Sequence, residues 1–357
     1  MSSQPVIDAF FDPATFTVTY LISDPASGRA AIVDPVLDYD HRSGKATTAS
    51  ADRVLAKAAE RGAQVDWILE THAHADHLTA APHLKARTGA SVAIGEHIRE
   101  VQKIFGKVFN ATDVSGDGRE FDRLVRDGER LALGTLEIEV MHLPGHTPAD
   151  VAYRIADAVF AGDTIFMPDY GTARADFPGG DAAQLYRSIR RLLALPPATR
   201  LFMCHDYKAP GRDSYAWQTT VEEQRARNVH VHDGVDEATF VAMRQKRDAT
   251  LAAPVLASPN GGDVVGSRRP TLVATNAVAT GAIGTVTYRF EASEVDTFPN
   301  TLKTAAQEGI EQGSGGTTSW QVTSDLLPDF LYFWRVRATN GRITSDWSTI
   351  LTFKTPR

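Results

Sequence analysis

The chain has 357 residues, 43% of them hydrophobic and 23% charged, which supplies a sizeable core and excludes disorder as its main state. No apolar run approaches the ~18 residues that cross a bilayer, the start of the chain lacks a basic-then-apolar export pattern, and a net charge of −7 argues against nucleic acid or an anionic membrane as the main partner. A lone cysteine, Cys204, makes no internal disulfide and suits a reducing compartment, and the length suggests two domains.

In chain order, Thr17 to Ser23 and Ala30 to Asp34 read as a strand pair. Ser50 is a candidate cap for a helix whose Val54, Leu55, Ala58 and Ala59 share one face until Gly62 ends it. Val65 to Thr71 reads as a buried strand, followed by a helix near Leu78 to Arg87, a strand at Ser91 to Ile94, a helix near Glu96 to Phe109, and strands at Thr135 to Leu143 and Val151 to Phe160. Asp181 caps the helix after it, and Glu237 to Leu251 reads as another. This is α/β layering with strands that end in loops. The turn formers of Pro254 to Asp263 place a boundary at about Ala253, giving domains 1–252 and 253–357.

The two parts differ in chemistry. All eleven histidines lie at or before His232, whereas the tail has nine basic and nine acidic residues, so the net charge resides in the first part. The tail also holds three of the five tryptophans, and its short runs at Pro270 to Thr275, Thr285 to Ser293, Thr317 to Thr323, Phe330 to Asn340 and Ser348 to Thr355 predict an antiparallel all-β sandwich. The segment Leu331 to Asn340 with Ser345-Asp-Trp-Ser348 resembles the late strands of a fibronectin type III module.

Strand Val65 to Thr71 runs into His72-Ala-His74-Ala-Asp76-His77, four potential ligands in six residues. Three later strands end in Pro144-Gly-His146-Thr, Gly162-Asp163-Thr and Cys204-His205-Asp206-Tyr207. A single histidine is ordinarily exposed or a satisfied core residue, but strand ends that converge can point such side chains into one small volume. The residues alone leave a one-metal and a two-metal site open. His41, His83, His97, His142, His230 and His232 fall outside these motifs, and His230-Val-His232 reads as a solvated loop. Cys204 reads as a buried, inert thiol, and no Gly-x-Ser-x-Gly elbow is present.

The four motifs, in this order and over about Val6 to Val231, resemble those of the metallo-β-lactamase superfamily, which implies an αββα sandwich with its metal at one edge. The stretch Phe160 to Gly180, with His205-Asp-Tyr207, resembles the persulfide dioxygenase branch, including its bacterial β-lactamase-hydrolase-like members. That resemblance implies one Fe(II) per chain held by His72, His146 and Asp163, with His74, Asp76, His77 and His205 as an outer shell and Arg174 and Tyr207 as substrate contacts. The implied reaction oxidises glutathione persulfide with O2 to sulfite and glutathione, as part of sulfur metabolism and hydrogen sulfide removal in the cytoplasm. In the alternative, a glyoxalase-II-like thioesterase, the outer shell holds a second metal, as two Zn; in another, the chain is a binding or scaffold protein acting through its sandwich. A homo-oligomer is left open, and the partner of the sandwich is unknown.

Overall fold

Side-chain alternation along short strands sets the architecture of the first unit. The computed structural model describes residues 4–111, 113–280, 284–299, 303–341 and 343–357, and the chain divides into two units, Met1–Arg244 and Gln245–Arg357. In the first, one six-stranded sheet comprises Val6–Asp12 (β1), Thr17–Asp24 (β2), Arg29–Val33 (β3), Gln64–Leu69 (β4), Ser91–Gly95 (β5) and Arg123–Val125 (β6), in that order. Strands β1 to β3 pair antiparallel and β3 to β6 parallel. A second six-stranded sheet comprises Arg130–Leu133 (β7), Leu136–His142 (β8), Val151–Ile155 (β9), Ala158–Phe160 (β10), Arg200–Phe202 (β11) and Gln218–Thr220 (β12), with only β10 and β11 parallel.

Tyr20, Ile22 and Val33 of the first sheet meet Val140, Tyr153 and Phe160 of the second in the central core. Their neighbours Leu21 and Ile32 point the other way, against Val54 and Ala58 of helix Ala49–Glu60 (α1) and Leu84 of helix Ala81–Thr88 (α2). Helix Ile98–Val108 (α3) covers Ile94, and Leu185, Ile189 and Leu192 of helix Ala182–Leu192 (α4) cover Met141, Val159 and Leu201. The period of two in the strands and of 3.6 in the helices thus yields four layers, αββα.

Several local expectations are corrected. Val151 to Phe160 is not one strand but the hairpin β9–β10, which turns at Ala156 with a φ of 53°, a conformation that Ala-Asp does not advertise in sequence. Helix α1 starts at Ala49, so Ser50 is not its cap; its backbone N–H is accepted by Asp38 Oδ2 at 2.8 Å from a neighbouring hairpin, Val36–Asp40 with Lys45–Thr47. Helix α2 starts only at Ala81, because Leu78–Thr79 pairs with that hairpin. Neither the hairpin nor β1 was legible.

After the end of helix Glu237–Asp248, the second unit is built of β-strands. Leu256–Ser258, Thr271–Thr275 and Thr317–Gln321 form one sheet, and Asp263–Val264, Leu351–Lys354, Leu331–Thr339, Thr287–Ser293 and Lys303–Glu311 form another. Leu272 and Trp320 of the first share a core with Tyr288, Phe290, Trp334 and Phe353 of the second. Tyr332, Trp334, Val336 and Ala338 are buried at alternate positions.

Asp181 does cap α4, its Oδ1 accepting the backbone N–H groups of Ala183 at 2.8 Å and Gln184 at 2.9 Å. Replacing it (Asp181→Ala) leaves those donors to water and is expected to lower stability by about 1 kcal/mol, measured by denaturant unfolding.

Candidate metal centre

The site begins with a buried carboxylate. Asp34, just past β3 and at a φ of 48°, accepts the backbone N–H of Thr71 at 2.8 Å and its hydroxyl at 2.9 Å. That hydroxyl has one proton, given to Asp34, so towards His72 Nδ1, at 3.1 Å, it accepts. His72 therefore carries its proton on Nδ1 and a lone pair on Nε2. His146 is fixed likewise: its Nδ1 lies 2.8 Å from the carbonyl oxygen of Arg174, which can only accept.

Both Nε2 lone pairs face Asp163 Oδ2, at 3.9 Å from His72 and 3.7 Å from His146. Asp163 sits in the tight turn Gly162–Thr164 after β10, where a Cβ on Gly162, at a φ of 53°, would lie 2.7 Å from Thr71 Oγ1. All three side chains are buried. Burial and the charges of the surrounding histidines push the His72 pKa well down, which keeps that ring neutral. One ligand atom from each of these three residues thus lies within 4.8 Å of the others, a set of two imidazoles and a carboxylate that fits a metal ion.

His74 lies beside this triad, its ring centre 4.1 Å from that of His72, but its Nε2 is given to other carboxylates. Its Nε2 lies 3.1 Å from Asp34 Oδ1 and 3.6 Å from Glu70 Oε2. Burial acts to lower its pKa, but the two carboxylates outweigh burial and raise it well above the ordinary value. His205 joins the triad from the other side, with Nε2 3.4 Å from Asp163 Oδ1 and 3.5 Å from Asp76 Oδ2. Its Nδ1 is 3.3 Å from Thr17 Oγ1, which also lies 3.4 Å from His77 Nδ1. Burial would raise the Asp76 carboxyl, but a bond to His77 and the charge of His205 hold it far below the usual range. All four motifs therefore meet, as a triad and an adjoining donor set that share Asp163.

The Arg174 side chain forms a two-pronged ion pair with Asp176, at 2.5 and 2.6 Å, and lies 5.1 Å from the centre of the Phe177 ring, which stands at right angles to the His146 ring. Tyr207 stacks on His205 at 5.4 Å, half-buried; burial, then the Asp163 and Asp76 carboxylates, push its phenol pKa up, so it stays a proton donor. Beside the site, a cleft of about 870 Å³ runs between the β1–β2 turn, the Val36–Thr47 hairpin and His74 to Leu78, with His41 in its wall. Cys204 is buried, and burial raises its thiol pKa, in keeping with an inert residue.

Sequence reasoning missed Asp34, Thr71 and Asp150. Asp150 accepts the backbone N–H of Thr147 at 2.7 Å and its hydroxyl at 2.6 Å, closing the turn after His146, and burial pushes its pKa up to about 6. Thr147-Pro-Ala-Asp150 is a legible turn, whereas nothing local marks Asp34. His230, expected in a solvated loop, is buried instead.

Residues 12–205 match the Metallo-beta-lactamase superfamily. A probable metallo-hydrolase of Burkholderia pseudomallei is 56% identical over 265 residues, 71% of this chain and 90% of that one. A hydroxyacylglutathione hydrolase of Rhodospirillum rubrum is 34% identical over 193 residues, 54% of this chain and 62% of that one. The mitochondrial persulfide dioxygenase ETHE1 of Bos taurus is 29% identical over 249 residues, 69% of this chain and 83% of that one. Among solved structures, ETHE1 from Myxococcus xanthus is similar with a TM-score of 0.54 and 31% identity, covering 68% of this chain and 91% of that one. On matched length, identity and the αββα layers together, the chain belongs to the metallo-β-lactamase superfamily.

Proposed function

We propose that the first unit is an iron-dependent persulfide dioxygenase holding one Fe(II) on His72, His146 and Asp163. The observation that carries this reading is the pair of imidazoles locked with Nε2 lone pairs towards one carboxylate oxygen, while His74 is engaged by Asp34 and Glu70. Two histidines and one carboxylate suit non-haem iron, which supplies open positions for a substrate sulfur and O2 and the redox chemistry that joins them. The similarity to the two ETHE1 proteins supports the same choice.

The overall change is a glutathione-type persulfide plus O2 plus water to thiol, sulfite and two protons. Around it the protein's groups bind and orient. Arg174, beside His146, exchanges Asp176 for a substrate carboxylate, and the Tyr207 phenol donates a hydrogen bond to the sulfur end. The cleft beside His74 to Leu78 takes the organic part of the substrate. We read residues 253–357 as a fibronectin type III-like module that is not required for this chemistry.

A second reading rests on His205, Asp76 and Asp163 Oδ1, which offer donors for a second metal; together with the similarity to a hydroxyacylglutathione hydrolase, they favour a two-zinc thioesterase as runner-up. Metal analysis of anaerobically purified protein separates the two: about one iron per chain is expected, and two zincs with thioester hydrolysis would overturn the dioxygenase. His146→Ala is expected to cut iron content to roughly a tenth or less, because it removes one of only three ligands. Arg174→Ala keeps the backbone carbonyl that holds His146, so iron stays while KM rises about 10- to 100-fold, the worth of a charge-assisted bond of ~1.5–3 kcal/mol. An unchanged KM removes Arg174 from the substrate site.

A further inference from the structure

The carbonyl that fixes His146 belongs to Arg174, inside a segment, residues 165–181, that has no helix or strand. Arg244 Nη1 donates to the segment's Thr172 carbonyl at 3.2 Å, and further restraint comes from polar side chains on and after helix Val221–Arg227 (α5), none of which the site chemistry uses. Gln224 Nε2 donates to the Phe166 carbonyl at 2.8 Å. Asn228 Nδ2 donates to the Gly171 carbonyl at 3.0 Å and to Gln224 Oε1 at 2.7 Å. His230 Nδ1 accepts the backbone N–H of Thr172 at 3.1 Å.

These side chains are buried, Gln224 and Asn228 with no exposed surface at all. Asn228 Oδ1 in turn accepts the backbone N–H groups of His230 at 2.9 Å and Val231 at 3.1 Å, so both halves of its side-chain amide are used. Fit is as tight as the bonding: Gly171 has a φ of 105°, and a Cβ there would lie 2.2 Å from His230 Nδ1. Buried amides are costly unless satisfied, and a satisfied network rigidifies what it touches.

We propose that Gln224, Asn228 and His230 are positioning residues that set metal affinity by holding the Arg174 carbonyl against His146 Nδ1. Groups that orient a metal-binding histidine typically change affinity 10- to 100-fold when removed. The inference rests on His146 being a ligand, which His146→Ala tests separately, and holds for iron or zinc alike.

The test is Zn(II) binding to the full chain by chelator competition, with Leu84→Ala on the opposite layer as a control for general destabilisation. Asn228→Ala and His230→Ala are expected to bind Zn(II) about 10- to 100-fold more weakly, while Leu84→Ala binds as wild type. His230→Gln, which restores an acceptor, is expected to recover most of the loss, and this pair carries the test if Asn228→Ala does not fold. Wild-type affinity in Asn228→Ala and His230→Ala, or an equal loss in Leu84→Ala, overturns the proposal.

Discussion

The site depends on how one carboxylate is buried. Asp34 is 1% exposed and takes its donors from Thr71 and His74. An ionised carboxylate taken out of water costs several kcal/mol unless its lone pairs are met, so those donors are obligatory. Meeting them fixes the Thr71 hydroxyl, which fixes the His72 tautomer, and claims one nitrogen of His74. The same bonds and the charge of His74 keep Asp34 ionised against the pull of burial.

From that constraint the division of labour between His72 and His74 follows. His72, like His146, is oriented by an acceptor at Nδ1 and presents a lone pair at Nε2; His74, two residues from His72, presents its Nε2 to carboxylates instead. A ligand inventory treats these three alike, and hydrogen bonding separates them. The second donor set, His205 with Asp76, supports a two-metal reading as the runner-up, and it meets the triad at the far oxygen of Asp163.

Much of this was written locally in the sequence. Strand ends followed by His, Asp or Cys marked the four motifs, and the alternation of Tyr332, Trp334, Val336 and Ala338 marked the second unit's core. What escaped was non-local. Asp34 becomes a site residue only because β3 and β4 are parallel neighbours that bring it beside Thr71. His230 resembled a loop histidine because its partner, Thr172, lies 58 residues away. Arg174 was read for its side chain, whereas its backbone carbonyl is what touches His146. The β9–β10 turn escaped for a different reason, since alanine at a positive φ leaves no mark in composition.

On the proposed reading this arrangement oxygenates a persulfide rather than hydrolysing a thioester. The most direct measurement follows dissolved O2 and sulfite together when glutathione persulfide is added to the iron-loaded full chain. One O2 is expected to be consumed for each sulfite formed. Cleavage of a glutathione thioester with no O2 uptake from the persulfide would contradict it.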